Sequence, residues 1–243
     1  MTAGKAGPTR ALVRFLRAND GLYRPVGAGF LVSSHHVLTC AHVVNDALGI
    51  SQQAVDKPAA RVWLDMPLLP GARPIAGSVR VWYPVRDTVA PDEPEDIAVL
   101  ELETATALPD GAQPASIRTL QPDAFFGRAV WMCGFPAGMD DGDWVEGRCL
   151  GSTARGWIQI AFAPGRQRTV APGFSGTAVW EQPHHAVIGM IVSTNVRKDE
   201  ISASMIPNAT LLKAWENLKV LPMPQNPRDV RYSGKTKLVL DHD

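Results

Sequence analysis

Three short segments decide the fold of this chain: Thr39-Cys40-Ala41-His42, Glu95-Asp96-Ile97-Ala98-Val99-Leu100 and Pro172-Gly173-Phe174-Ser175-Gly176. They supply an imidazole, a carboxylate and a serine hydroxyl set between glycines. Together these groups can make a serine nucleophilic at neutral pH. The order along the chain is His, Asp, Ser, which excludes the two other common arrangements, Asp-His-Ser and Ser-Asp-His.

The charge of the chain limits its partners. Its 243 residues include 24 Lys and Arg and 24 Asp and Glu, so the formal net charge is zero. Neither nucleic acid nor an anionic membrane surface is therefore expected as a partner. The length allows one large all-β domain or two small ones packed closely together.

The three cysteines indicate the redox compartment. An odd number argues against a disulfide framework, although a bridge between Cys133 and Cys149 on neighbouring strands is an open alternative. The apolar residues that follow Arg10 are broken by Arg14, Arg17 and Asp20, so neither a secretory segment nor a transmembrane segment is predicted. A cytoplasmic location is expected.

Short runs of β-branched and aromatic residues, separated by Gly, Pro and Asp, predict an antiparallel all-β fold. A first set of runs covers 26–32, 36–39, 60–65, 79–83 and 97–102, and a second covers 129–134, 144–150, 157–162, 177–180, 187–193 and 202–206. We expect two six-stranded barrels followed by a helix that Asn208 caps. The predicted divisions are barrel one at 11–103, a linker at 104–121, barrel two at 122–206, the helix at 208–219, and a tail at 221–243 after a domain that spans 1–220.

Six segments in one order resemble a known family. They are Gly27–Val32, Val37–His42, Asp96–Leu100, Cys133–Pro136, Gly173–Gly176 and Gly189–Ser193. Over residues 11–219 the chain resembles the chymotrypsin/trypsin-like serine proteases, and within them the bacterial HtrA-like branch. The resemblance implies a chymotrypsin-like double barrel with catalysis in the cleft between the barrels.

The candidate catalytic residues are His42 as the general base, Asp96 as the carboxylate that orients it, and Ser175 as the nucleophile. Other residues of the same types receive simpler interpretations. His35 and His36 are interpreted as solvated turn residues. Asp92, Glu93 and Glu95 are interpreted as loop charges, and Cys40 as a small buried apolar residue.

The resemblance also implies how substrate is held. The backbone N–H groups of Gly173 and Ser175 would form the oxyanion hole. Thr169 would be the floor of the primary pocket, Ser193, Thr194 and Asn195 one wall, and residues 202–203 part of another. Without an acidic floor a neutral substrate residue is favoured, although Asp199 and Glu200 could restore a basic preference.

Phe174 occupies the position where digestive members of the family carry an acidic residue, so activation by amino-terminal cleavage is not expected. The implied function is a serine endopeptidase that forms an acyl-enzyme without cofactor or metal. The implied setting is a bacterial effector of conflict or antiviral defence, which cleaves one protein partner under the control of a sensor. A non-catalytic peptide-binding module, a quality-control protease and an esterase are the alternatives.

Overall fold

The computed structural model describes residues 7–87, 90–103, 107–162, 170–182, 185–197 and 200–221, with the side chains of 194–197 and 200–201 left out. Within these ranges the strands form two closed antiparallel barrels of six strands each. The predicted all-β double barrel with a short carboxy-terminal helix is confirmed.

Barrel one contains the first six strands, in the order β1-β2-β3-β6-β5-β4 around the barrel. Strand register shifts by one residue between Phe15 and Leu16 and again between Val79 and Val81. Such bulges bend the strands and help the sheet to close. The strands are β1 (Leu12–Asn19), β2 (Leu22–Leu31), β3 (His36–Thr39), β4 (Val62–Asp65), β5 (Ile75–Tyr83) and β6 (Ile97–Leu102), with helix α1 (Ala41–Ala47) between β3 and β4.

Barrel two repeats this plan, in the order β10-β11-β12-β9-β8-β7. Its strands are β7 (Ala129–Gly134), β8 (Asp143–Ser152), β9 (Ile158–Ala161), β10 (Ala178–Glu181), β11 (Ala186–Arg197) and β12 (Glu200–Pro207). Along β8, buried and exposed residues alternate from Asp143 to Leu150, as expected of a strand with one face in a core.

The sequence patterns missed strand β1. Arg14 and Arg17 interrupt its apolar residues, yet both are only partly exposed and bind acidic partners. Arg14 pairs with Asp65 at 2.6 Å and Arg17 with Asp46 at 2.5 Å. Their aliphatic stems can lie along apolar surface while their charged ends are paired, so the strand tolerates them.

The closing helix α2 (Asn208–Ala214) is shorter than the predicted 208–219. Trp215 has extended φ and ψ of −149° and 99°, which ends the helix at Ala214. Asn208 is the first helical residue, not the cap. Its side-chain amide donates instead to the carbonyl oxygens of Arg118 and Val187, both at 2.7 Å.

All three cysteines are buried free thiols. The alternative of a bridge between Cys133 and Cys149 is wrong, because Cys133 in β7 pairs with Trp144 and Cys149 lies five residues further along β8. In the part of the chain that is described, no helix has the length and apolar character to span a membrane.

Candidate active site

His42 and Asp96 form a two-point contact. His42 is the second residue of α1, directly after β3 ends. Its ring Nδ1 lies 2.7 Å from Asp96 Oδ2, and its backbone N–H donates to Asp96 Oδ1 at 2.9 Å. Both carboxylate oxygens are thus directed at one residue, which fixes the orientation of the ring. These bonds also offset the cost of burying a carboxylate that is only 4% exposed.

The backbone brings Asp96 to this position in an uncommon conformation. Its φ is 51°, in the left-handed region, and its N–H donates to the Pro84 carbonyl at 3.2 Å. Aspartate tolerates this region better than most residues, and such conformations persist only where neighbouring contacts enforce them. The pairing of Ala98 in β6 with Thr39 in β3 then places Asp96 beside the start of α1.

Ser175 lies in a tight loop that requires glycine on both sides. Pro172 and Gly173 are the central residues of a turn closed by the Phe174 N–H, which donates to the Ala171 carbonyl at 3.1 Å. Gly173 has a φ of 108°, as position i+2 of a type II turn demands. A Cβ at Gly173 would collide with the Phe135 carbonyl, and one at Gly176 would collide with the Ala28 carbonyl.

Residues 172–176, which we call the nucleophile loop, belong to barrel two and pack directly on barrel one. The Ala28 N–H donates to the Ser175 carbonyl at 2.9 Å, and Thr39 Oγ1 donates to the Ala28 carbonyl at 2.7 Å. A Cβ at Gly27 would lie 2.7 Å from a Val43 methyl and 3.3 Å from the Ser175 carbonyl oxygen. Gly27 therefore lies close both to Ser175 and to the helix that carries His42. Among the described residues no hydrogen bond joins Ser175 Oγ to His42, which is common before substrate binds.

Two backbone N–H groups of this loop have no acceptor in the described part of the chain. They belong to Gly173 and Ser175. The N–H groups that alternate with them are engaged, since Phe174 donates to Ala171 and Gly176 donates to the Ile191 carbonyl at 2.8 Å. The loop therefore presents two unused donors beside the Ser175 hydroxyl, an arrangement that can bind a developing negative charge.

The side chain of Phe174 fixes the nucleophile loop to the core of barrel two. Its side chain is fully buried within the core of barrel two. A Cβ at Gly134 would lie 2.6 Å from a Phe174 ring carbon, so the ring rests on the Gly134 backbone. The loop that carries Ser175 is therefore held through apolar packing.

The predicted pocket residues are covered only in part. Thr169 and Asp199 lie outside the described residues. Ser193 is half-buried in β11 and pairs with Ser204 of β12. Thr194 and Asn195, described by their backbone alone, pair with Ala203 and Ser202. The residues predicted for two walls therefore occupy adjacent strands, and their role in binding substrate stays a prediction.

The interpretation of Glu95 as a loop charge is wrong. This residue is 2% exposed, and its carboxylate oxygens lie 3.1 and 3.4 Å from Arg155 Nη1. Its position next to Asp96 and before a buried strand was the signal available in the sequence. His36 is likewise not a turn residue, because it begins β3 and its ring lies 5.0 Å from that of Trp215.

Cys40 is fully buried, as predicted, and its thiol donates to the Ile191 carbonyl at 3.3 Å. Burial and the nearby Asp96 carboxylate raise the pKa of this thiol well above its ordinary value, so it is unsuited to be a nucleophile. Cys40, His42 and Asp96 each offer a ligand-type atom within 4.8 Å of the others. His42 Nδ1 and Asp96 Oδ2 are bonded to each other.

Comparison with known proteins agrees with this geometry. Residues 27–190 match the family described as "Trypsin-like peptidase domain". Among solved structures, a serine endoprotease from Yersinia pestis aligns with a TM-score of 0.59 and 20% identity over 88% of this chain. The alignment takes in 64% of that protein, so this chain spans less than two thirds of its length.

A second similar structure is an inactive serine-to-alanine form of Rv3671c from M. tuberculosis. It aligns with a TM-score of 0.56 and 15% identity, over 88% of this chain and 90% of that one. At these identities the two structures support the fold alone. Comparison with curated proteins gives no match. The family match covers more than half of the sequence, and the chain therefore belongs to the trypsin-like peptidase domain family.

Proposed function

We propose that this chain is an active serine endopeptidase that uses Ser175, His42 and Asp96. The observation that carries the proposal is the bond of 2.7 Å between His42 Nδ1 and Asp96 Oδ2, in a barrel on which the Ser175 loop is docked through the Ala28 N–H. A carboxylate on Nδ1 holds the proton there and leaves Nε2 as a base. That is the tautomer that a serine nucleophile needs.

The chemistry follows from these positions. His42 Nε2 takes the Ser175 hydroxyl proton as Oγ bonds to the scissile carbonyl carbon, and the carbonyl electron pair moves onto oxygen. The N–H groups of Gly173 and Ser175 would bind that oxyanion. The C–N bond then breaks, and the imidazolium returns its proton to the leaving amine. Water, deprotonated by the same imidazole, hydrolyses the acyl-enzyme in the reverse sequence and releases the carboxylic acid.

We further propose that the enzyme is cytoplasmic and cleaves one protein partner, as a bacterial effector of conflict or antiviral defence. Three buried free thiols support a reducing compartment. The burial of Phe174 supports control without a new amino terminus, since the loop is anchored by packing. Control would instead come from a sensor or a partner domain. A neutral residue at the cleaved position follows from the pocket prediction, and housekeeping quality control is the alternative setting.

Fluorophosphonate labelling tests the chemistry. The wild-type chain should incorporate one probe per molecule, and Ser175→Ala should incorporate none. Ser78→Ala is the matched control, because Ser78 is an exposed serine on β5 and should label like the wild type. His42→Ala should slow labelling by about 10⁶-fold, the loss of kcat that follows removal of a catalytic histidine, without unfolding the chain.

A folded wild-type chain that fails to label would refute the enzyme and favour the peptide-binding module. Labelling that persists in Ser175→Ala would place the nucleophile elsewhere. Cleavage of a proteome-derived peptide library, analysed by mass spectrometry, would then report the residue preferred in the primary pocket.

A further inference from the structure

A buried carboxylate lies next to the catalytic one, and the mechanism above gives it no task. Glu95 immediately precedes Asp96, and its side chain is 3% exposed. Burial raises the pKa of Glu95, the neighbouring Asp96 raises it further, and Arg155 and Arg86 oppose both effects. Two adjacent carboxylates in low-dielectric surroundings repel each other, so this segment is stable only with a cation beside it.

Arg155 supplies that cation from the other barrel. It lies in the turn between β8 and β9, and its Nη1 contacts both Glu95 carboxylate oxygens. Its Nη2 donates to the Asp87 carbonyl at 2.9 Å, and its guanidinium lies 5.3 Å from the centre of the Trp157 ring. Arg155 thus binds two residues of the loop before β6, Glu95 and Asp87, while the Trp157 ring packs against its guanidinium.

The backbone around Arg155 is shaped for the same contact. The Asp92 N–H donates to the Arg155 carbonyl at 3.3 Å. Gly156 has a φ of 78°, and a Cβ there would collide with the Asp92 carboxylate. Lys213 of α2 adds a bond of 3.2 Å to the Asp92 carbonyl. The hairpin turn and the loop before β6 therefore meet over several residues, with no room for a larger residue at 156.

Glu95 and Asp96 are consecutive, so the contact between Arg155 and Glu95 lies one peptide bond away from the pair of Asp96 and His42. Asp96 is held at a φ of 51°, a conformation that depends on its neighbours being fixed. On one side β6 fixes it. On its amino-terminal side, the Asp96 N–H donates to the Pro84 carbonyl, and Glu95 forms an ion pair with Arg155.

We infer that Arg155 is a positioning residue: by neutralising the buried Glu95 carboxylate, 3.1 Å from its Nη1, it keeps Asp96 aligned with His42, so that barrel two controls the candidate catalytic carboxylate of barrel one. The inference deepens the proposed function and rests on it for its kinetic consequence. Its geometric consequence stands on the structure alone.

Three variants and one control test the inference. Arg155→Ala leaves Glu95 buried without its cation, so kcat should fall by about 10–100-fold while KM changes by less than about threefold. Glu95→Gln should have only a small effect, because Arg155 is 42% exposed and loses little when its partner is neutral. The double variant should recover most of the lost kcat, because it removes the unpaired charge.

Arg80→Ala is the control, since Arg80 binds Glu101 of β6 at 2.9 Å on the exposed surface, and it should behave like the wild type.

A second measurement does not need turnover. The low-field proton resonance of the His42 Nδ1–H bonded to Asp96 should be present in the wild type and Arg80→Ala, and weakened or lost in Arg155→Ala. Absence of fluorophosphonate labelling in the wild type would defeat the proposed function, while this resonance would still test the positioning. An Arg155→Ala protein that keeps both the resonance and its kcat, or a double variant no better than Arg155→Ala, would overturn the inference.

Discussion

Replacing Phe174 with alanine separates the stability of barrel two from the geometry of the nucleophile loop. The ring is fully buried, and a buried phenylalanine removes about 150–250 Å² from water. At ~25 cal/mol per Å² this is worth about 4–6 kcal/mol. Phenylalanine-to-alanine changes in protein cores cost about 3–5 kcal/mol. We expect the free energy of unfolding, measured in urea, to fall by that amount.

The effect on activity should exceed the loss of folded protein. Phe174 separates Gly173 from Ser175, so a ring that no longer rests on Gly134 leaves both N–H donors misaligned. Loss of one oxyanion donor costs about 10²–10³-fold in rate, and we expect kcat/KM per titrated active site to fall by at least that factor.

Phe125→Ala is the matched control, because Phe125 is 2% exposed in the same core and lies outside the loop. It should lose similar stability and keep wild-type activity per folded molecule. Equal kcat/KM in the folded fractions of the two variants would show that the ring is not the anchor of the loop.

Three further predictions concern Asp96, Gly176 and the buried cysteines. Asp96→Asn should keep the fold, measured by circular dichroism, and lower kcat by about 10⁴-fold, because an amide stabilises the wrong tautomer of His42; a loss below about tenfold would contradict the assigned role. Gly176→Ala should abolish labelling of Ser175, because the added Cβ collides with the Ala28 carbonyl at a φ of 84°, whereas Gly151→Ala, which meets nothing within 4 Å, should label normally. Burial raises the pKa of Cys133 and of Cys149 to about 12 and raises that of Cys40, so a thiol reagent at pH 8 should modify no cysteine in the native protein and all three in urea; reaction of the native protein would contradict their burial.

The three candidate catalytic segments could be picked out from the sequence because each carries its own local requirement. A histidine just after a strand, an aspartate before a buried strand and a serine between two glycines are recognisable without knowledge of the rest of the chain. The positive φ values of Gly173 and Gly176 explain why glycine stands there. The two sets of short strand-like runs, joined by a linker at 104–121, then indicated two barrels.

The features that were missed depend on contacts between distant residues. Glu95 and Arg155 are 60 residues apart, and only the packing of one barrel on the other brings them together. Strand β1 was missed because Arg14 and Arg17 break its apolar pattern, and their partners Asp65 and Asp46 lie in other elements. Charged residues are interpreted as solvated by default, and it is tertiary pairing that buries them.

The division of the three candidate catalytic groups between two closed barrels has a consequence for how the proposed activity would be lost. His42 and Asp96 belong to one barrel and Ser175 to the other, and the Ala28 N–H bond to the Ser175 carbonyl crosses between them. A small separation of the barrels would disconnect nucleophile from base while every strand kept its partners. Heat or mild denaturant should thus abolish turnover at or before the loss of β-sheet signal. Turnover should therefore report a change in the packing of one barrel on the other more sensitively than any spectroscopic measure of secondary structure.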